Sequence, residues 1–253
     1  MVLTARTFLL VCPMLFLAGF VDSVAGGGGL ISMPVYLIAG LPPHSAVATN
    51  KMSSTFGTTL STIRFFRNGL INLKLAFPSV AAAICGSALG AHISMSIDET
   101  VLRRVMILIL PVAAFFVLNK KLFNDNGRDA AVFTKRTVIV TVVSAFVIGM
   151  YDGFYGPGTG TFLIIAFTVF ARIGIKSANA QAKVVNMTTN WTALVIFLFN
   201  GKVILPLGAA AAVCNIAGNY VGSGLVMEKG ASIVRPVMLA VLVLLFLRMV
   251  GFF

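Results

Sequence analysis

Long apolar stretches alternate with short polar turns along the whole chain. Charge-free stretches cover 23–50, 75–97, 153–171, 184–201 and 203–227. Several of them reach the roughly 18 to 20 residues that a helix needs to cross the hydrocarbon of a bilayer. The pattern therefore predicts an all-α, polytopic membrane protein.

The second half of the chain repeats the first. Gly19-Phe20-Val21-Asp22 is matched by Gly149-Met150-Tyr151-Asp152 at a shift of 130 residues. Beyond the glycines that follow, the shift becomes 132 and holds for Lys51 with Lys183, Gly86 with Gly218 and Gly90 with Gly222. So many glycines and charges recurring in order indicate a duplication.

Each half contains five apolar segments, with a glycine-rich break after the first. They are 7–24, 30–40, 44–67, 72–95 and 100–118, and then 137–154, 161–171, 176–199, 203–226 and 231–251. We therefore predict a first transmembrane repeat at 1–119, a basic cytoplasmic linker at 120–136 and a second transmembrane repeat at 137–253.

The basic residues predict how the helices are oriented. Apolar residues make up 58% of the chain, charged residues 10%, and the net charge is +12. If the central loop lies in the cytoplasm, twelve Lys and Arg residues are inside and five are outside, with Lys51 and Lys183 left out of the count. This excess of basic residues inside agrees with the positive-inside rule. Each half has an odd number of crossings, so the halves are inverted and both termini are extracytoplasmic. Inverted repeats are typical of secondary transporters. The positive charge does not indicate nucleic-acid binding, because the sequence predicts no soluble domain for it.

The glycine breaks are candidate anion sites. A break inside a membrane directs the N-terminus of the next helix, with its free N–H groups, at a cavity, where an anion is favoured. The alternative is close helix packing through small residues. The candidate residues are Gly26, Gly27, Gly28 and Gly29 in the first half and Gly156 and Gly158 in the second.

Two lysines are the main candidate ligands for an anionic substrate. Lys51 and Lys183 lie well inside predicted helices, and an ionisable residue there is a functional hypothesis; the alternative is a lysine that extends to the interface. Uncharged donors accompany them, and we include Thr49, Asn50, Asn186 and Asn190 in the predicted substrate site.

Asp22 and Asp152 are matched acids that precede the breaks. They either pair with the lysines, which lowers the cost of burying both charges, or accept a proton during transport. His and Cys have no metal-binding spacing, and neither a P-loop nor a dinucleotide motif is present, so no metal or cofactor is expected.

Four stretches carry a resemblance to a known family: GFVDSVAGGGGLISMP at 19–34, ATNK at 48–51, YDGFYGPGTG at 151–160 and AQAKVVNMTTN at 180–190. The chain resembles the TauE/SafE family of membrane permeases over nearly its whole length, and most closely the YfcA-like branch. The resemblance implies a transporter, commonly an exporter in bacterial inner membranes, of sulfite, sulfoacetate or related anions. Members of the family are described with about eight spans, so the expectation is either eight full spans or up to ten helical segments, in which the glycine-flanked ones cross partially.

The expected function is secondary transport of a small anion by alternating access. An anion channel, or a carrier of other small organic anions, is the alternative; a membrane enzyme is not supported, because no nucleophile cluster or metal set is present. The expected partners are the anion and the lipid bilayer, and the sequence is compatible with H+ or another coupling ion and with a homo-oligomer.

Overall fold

The computed structural model describes residues 3–102, 104, 134–230, 232–234 and 236–237. Eight helices have both ends within these residues: α1 Ala5–Ala25, α2 Gly29–Ile38, α3 Pro43–Arg67, α4 Leu73–Ser96, α5 Lys135–Phe154, α6 Thr159–Val169, α7 Ile175–Phe199 and α8 Leu205–Lys229. Their ends lie within three residues of the predicted segments, so the all-α polytopic fold is confirmed. The predicted segments 100–118 and 231–251, with most of the linker, lie largely outside the described residues.

The helices differ in length in the way that the glycine breaks predict. Among the described helices, α1, α4, α5, α7 and α8 are long and apolar enough to cross a membrane. Helix α3 is also 25 residues long, but it buries a row of polar side chains. Helices α2 and α6 have 10 and 11 residues, about 15 to 17 Å of the roughly 30 Å hydrocarbon thickness. These two helices are therefore too short to cross alone.

Each half packs against the other through equivalent pairs of glycines. A side chain at Gly218 or Gly222 of α8 would meet the carbonyl oxygens of Phe16 and Phe20 of α1. In the same way, a side chain at Gly86 or Gly90 of α4 would meet the carbonyl oxygens of Phe146 and Met150 of α5. Both glycine pairs have the four-residue spacing that lets helices in membranes approach closely. Positions 16 and 146, and 20 and 150, are repeat mates, so the α1–α8 and α4–α5 interfaces correspond.

The repeat mates α3 and α7 cross in opposite directions. Lys51 of α3 donates a hydrogen bond to Asn190 Oδ1 of α7 at 3.0 Å. Further along α3, Thr62 donates to the carbonyl oxygen of Lys183, at 3.1 Å, in an earlier turn of α7. Because the contact moves forward along α3 and backward along α7, the two helices are antiparallel.

Basic side chains collect at one end of the bundle. Helix α3 runs parallel to α8, since Thr49 accepts from the N–H of Ile204 and Arg64 Nη1 donates to Ser223 Oγ at 2.8 Å. Lys176, at the start of α7, donates to the carbonyl oxygen of Met227 at the end of α8. The basic end of the described bundle therefore carries Arg64, Arg67, Lys74, Lys135, Arg136, Arg172, Lys176 and Lys229, whereas Arg6, Arg104 and Lys202 lie at the other end.

The glycine contacts predict a position-specific loss of stability. In Gly222→Ala the new Cβ would lie 2.6 Å from the carbonyl oxygen of Phe20, so we expect the free energy of unfolding to fall by about 1–3 kcal/mol. Gly224, on the same helix, has its nearest such neighbour, Arg64 Nη2, at 3.5 Å. Gly224→Ala should therefore leave stability unchanged or slightly raised. Thermal unfolding of the two variants in detergent, followed by the fluorescence of the single tryptophan, makes the comparison; equal losses would contradict the α1–α8 packing.

Candidate functional site

The two glycine breaks touch each other at the centre of the bundle. Helix α1 ends at Ala25, and Gly26 follows in the left-handed conformation with φ of +74°, a common way for a helix to end. A side chain at Gly26 would overlap the backbone of Gly160, and one at Gly29 would meet Pro157. Close packing of the breaks is thus a fact of the structure, and it brings the ends of α1 and α5 together with the starts of α2 and α6.

Side chains of the second half satisfy the carbonyl groups at the end of α1. Asn179 of α7 donates to the carbonyl oxygens of Ser23 and Val24 at 3.1 and 3.0 Å. Thr161 of α6 donates to the carbonyl oxygen of Ala25 at 2.7 Å. The last carbonyls of a helix have no partner within the helix and are costly to bury unpaired. The break is therefore held in place by the opposite repeat.

Two buried ion pairs join the halves. Lys183 Nζ lies 2.7 Å from Asp22 Oδ2, and Lys51 Nζ lies 2.7 Å from Asp152 Oδ2. Each lysine is only 1% exposed. An isolated charge would be very unfavourable at such a position, and a close opposite charge offsets part of that cost. Each aspartate pairs with the lysine of the other repeat, so neither half neutralises its own charges.

The two ion pairs differ in their hydrogen bonds. Lys183 donates a well-formed hydrogen bond to Asp22 at 2.7 Å. Lys51 is equally close to Asp152 and also donates to Asn190 Oδ1 at 3.0 Å. Lys51 thus has a neutral acceptor in addition to its carboxylate.

A small cavity lies where the breaks and the ion pairs meet. Both halves contribute to its wall, and in this conformation it has space for about one or two water molecules. Most of the predicted site residues are brought together here. The lining residues are Asp22, Gly26, Gly29, Asn50, Lys51, Ser54, Asp152, Gly156, Thr159, Gly160, Asn186 and Asn190.

The side-chain amides around the cavity are arranged as donors. Asn190, which accepts from Lys51, donates in turn to Asn186 Oδ1 at 3.2 Å. Ser32 donates to Asn50 Oδ1 at 2.6 Å. The carbonyl ends of Asn186 and Asn50 are thus occupied, and their NH₂ ends remain for the cavity. A site that offers an ammonium and two amide NH₂ groups is suited to a ligand that accepts hydrogen bonds, such as an oxyanion.

The remaining predicted residues are described too, but they do not border the cavity. Gly28 packs against Ala18 and Asp22 of α1, and Gly158 lies near Phe162 and Leu30. Thr49 accepts the N–H of Ile204 and so faces α8. Gly27 and Lys183 are buried outside the lining, Lys183 being held by Asp22.

Sequence reasoning left Ser54, Thr159 and Gly160 out of the predicted site, although all three border the cavity. Two signals could have found Ser54: it is the repeat mate of Asn186, and it lies three residues after Lys51, on the same face of α3. The neighbouring Ser53 instead accepts a hydrogen bond from Tyr36 at 3.1 Å.

The described bundle has five helices that are long and apolar enough to cross a membrane and a polar cavity between its two halves, which defines a polytopic membrane protein. Residues 11–249 match the family described as "Sulfite exporter TauE/SafE". The chain belongs to this family, which confirms the resemblance found in the sequence and identifies the chain as a membrane transporter.

Named relatives agree with this membership. The chain is 36% identical over 238 residues to the probable membrane transporter protein ORF9 of Sinorhizobium sp, covering 93% of this chain and 89% of that protein. It is 33% identical over 247 residues to the probable membrane transporter protein YfcA of Escherichia coli (strain K12), covering 94% and 90%. Sulfite exporter TauE/SafE family protein 6 of Arabidopsis thaliana is 29% identical over 127 residues, covering 46% of this chain and 30% of that protein. No solved structure matches the chain.

The Lys183–Asp22 pair predicts a stability effect that depends on charge balance. Lys183→Met leaves the Asp22 carboxylate buried without a cation, and we expect the free energy of unfolding to fall by about 3–5 kcal/mol. Adding Asp22→Asn removes the unpaired charge and should restore most of that loss. Thermal unfolding in detergent measures both variants.

Lys176→Met is the matched control, because this lysine lies on the same helix but is only partly buried and bonds a single carbonyl oxygen. Its expected cost is about 1 kcal/mol. If the double variant were less stable than Lys183→Met, the pair would not be holding the two halves together.

Proposed function

We propose that this protein is a secondary transporter, acting as an exporter, of a small sulfur-containing anion such as sulfite or an organosulfonate. The observation that carries the proposal is the position of Lys51. Its ammonium borders a cavity between the two halves, together with the free NH₂ ends of Asn50 and Asn186. A sulfite or sulfonate group has three oxygens that share one or two negative charges, which such donors match.

The two halves act as inverted repeats in this proposal. The antiparallel crossing of α3 and α7 supports it, because these helices are repeat mates. The corresponding glycine contacts of α1 with α8 and of α4 with α5 also support it. Rocking one repeat against the other would then open the cavity first to one side of the membrane and then to the other.

The small size of the cavity supports a movement of this kind. With space for about one or two waters, it is too small for a sulfonate in the present conformation. Since α1, α2 and α3 form one part of its wall and α5, α6 and α7 the other, separating the repeats enlarges it. Alternating access therefore supplies both the room for the anion and its passage.

The function test is counterflow in liposomes that contain the purified protein. Vesicles loaded with unlabelled sulfite or methanesulfonate should transiently accumulate the same radiolabelled anion, because a carrier exchanges bound substrates across the membrane. We expect Lys51→Met combined with Asp152→Asn, which leaves no unpaired charge, to lower counterflow by about tenfold to a hundredfold, the value of a charged hydrogen bond to a buried ligand.

Lys202→Met is the control, because this lysine is exposed and distant from the cavity; it should transport like the original protein. Absence of counterflow with both anions would overturn the proposed function. A large flux that saturates weakly and shows no counterflow would indicate the anion channel instead.

We also propose that the protein lies in the inner membrane with the basic end in the cytoplasm, as the positive-inside rule favours. The start of α1 lies at the opposite end of the bundle, so an N-terminal reporter should be extracytoplasmic. Alkaline phosphatase is active only outside the cytoplasm and green fluorescent protein fluoresces mainly within it, so paired fusions measure the orientation. If the N-terminal fusion fluoresced and had no phosphatase activity, the N-terminus would be cytoplasmic and the orientation would be the reverse of the one proposed.

A further inference from the structure

We propose that the two ion pairs have different functions: the Lys51–Asp152 pair opens in each transport cycle and couples the anion to a proton, whereas the Lys183–Asp22 pair stays closed. This inference rests on the proposed transport function. In the cycle, the anion takes the place of the Asp152 carboxylate at Lys51, and that carboxylate accepts one proton. Anion and proton then cross together.

The hydrogen bonds distinguish the pair that opens from the pair that stays closed. Lys183 donates to Asp22 at 2.7 Å, so separating them breaks a charge-assisted hydrogen bond in a buried place. Lys51 has a hydrogen bond to Asn190 Oδ1 besides its 2.7 Å contact with Asp152. The Lys51 ammonium therefore keeps one acceptor when a substrate oxygen takes the place of Asp152.

The cavity is on the side of the Lys51–Asp152 pair. Both members of that pair border it, whereas Lys183 does not, so an entering anion meets Lys51 and not Lys183. Asp22 borders the cavity as well, but its charge is neutralised by Lys183. An anion held in the cavity thus competes with Asp152 for one cation.

The glycines after the two aspartates differ in what they pack against. Gly156 has a φ of +95°, and a side chain there would come within 3.0 Å of Lys51 Nζ and 2.9 Å of Asp152 Oδ1. Gly156 therefore lies directly against the Lys51–Asp152 pair, which a side chain would crowd. At its repeat mate Gly26, a side chain would instead meet the backbone of Gly160.

Charge balance explains why a proton accompanies the anion. With Lys51 and Asp152 both ionised, an added monovalent anion would leave one uncompensated negative charge in a buried site, where repulsion between like charges is strong. Protonation of Asp152 restores neutrality, so anion and proton favour each other's binding. For a monovalent anion the cycle moves no net charge, and its direction follows the product of anion and proton concentrations on the two sides. Export against an acidic exterior therefore requires that the anion is more concentrated inside by a larger factor than the proton is outside.

The surroundings of Asp152 contain few other groups that could take this proton. Helix α6 has no titratable residue, and those on the described part of α4 (Lys74, Cys85, His92) are exposed. Among the described residues, the remaining ionisable neighbours are Lys51 of α3, Asp22 of α1, Lys183 of α7 and the phenols of Tyr151 and Tyr155. An ammonium group has no free site for a further proton, a phenol is a much weaker base than a carboxylate, and Asp22 keeps its hydrogen bond to Lys183, so the proposal assigns the proton to Asp152.

The test uses methanesulfonate, which remains ionised at every pH used, or sulfite where only sulfite shows counterflow. The measured quantity is a ratio taken for each protein. It is the amount of labelled anion that the vesicles accumulate when the exterior is acidic, divided by the counterflow that the same protein shows. For the original protein we expect a pH difference of one unit to raise this ratio about fivefold to tenfold. In Asp152→Asn the ratio should not respond to pH, whatever counterflow remains. In Asp22→Asn the response to pH should persist although thermal stability falls.

A second measurement needs no variant: a pH indicator trapped in vesicles of the original protein should report acidification of the interior when methanesulfonate, or another sulfonate that carries no exchangeable proton, enters. Counterflow without that acidification would overturn the coupling while the transport function stands. Loss of the pH response in Asp22→Asn rather than in Asp152→Asn would reverse the assignment of the two pairs. Absence of any counterflow by the original protein would instead remove the function on which the inference rests.

Discussion

Burial of two lysine ammonium groups is the constraint on which the rest of this structure depends. Lys51 and Lys183 are each 1% exposed, and transfer of an ion from water into such a place costs several kcal/mol even after relaxation. The carboxylates that offset this cost come from the opposite repeat. Neither half can neutralise its own lysine in this arrangement, so the interface between the halves is required for the fold itself.

The glycine breaks lie next to the paired charges. Helix α1 ends three residues after Asp22, whose carboxylate contacts Lys183 of α7, and Gly26 follows the helix end. The ending exposes carbonyl groups, which Asn179 and Thr161 of the second half then satisfy. Because the two glycine breaks pack against each other beside the ion pairs, a gap lined by backbone and polar side chains remains between the halves. The cavity is thus a direct consequence of how the buried charges are paired.

The sequence predicted the parts of this arrangement that depend on local pattern. Helix ends followed from apolar runs and turn residues, and the membrane class followed from composition. The partner of each aspartate could not be read from the chain, because Asp22 precedes Lys51 in its own half just as Asp152 precedes Lys183. The antiparallel crossing of α3 and α7 is what places each aspartate beside the lysine of the other half. Periodicity places a side chain on a helix face, but it does not tell which neighbouring helix that face meets.

The same limit explains why both lysines were included in the predicted site. Duplication suggested that Lys51 and Lys183 would both face the substrate, whereas of the two only Lys51 borders the cavity. The repeat mates of Asn50 and Asn190 are Ala182 and Thr58, so the amide donors are distributed unequally between the two lysines. Substitutions of this kind leave the helix pattern unchanged and are therefore invisible to it. They leave one charge pair that borders the cavity with both of its members and one that borders it through Asp22 alone. If the halves act as the inverted repeats proposed above, only their scaffold needs to be symmetric, and a single asymmetric site where α3 and α7 cross would be reached from each side in turn.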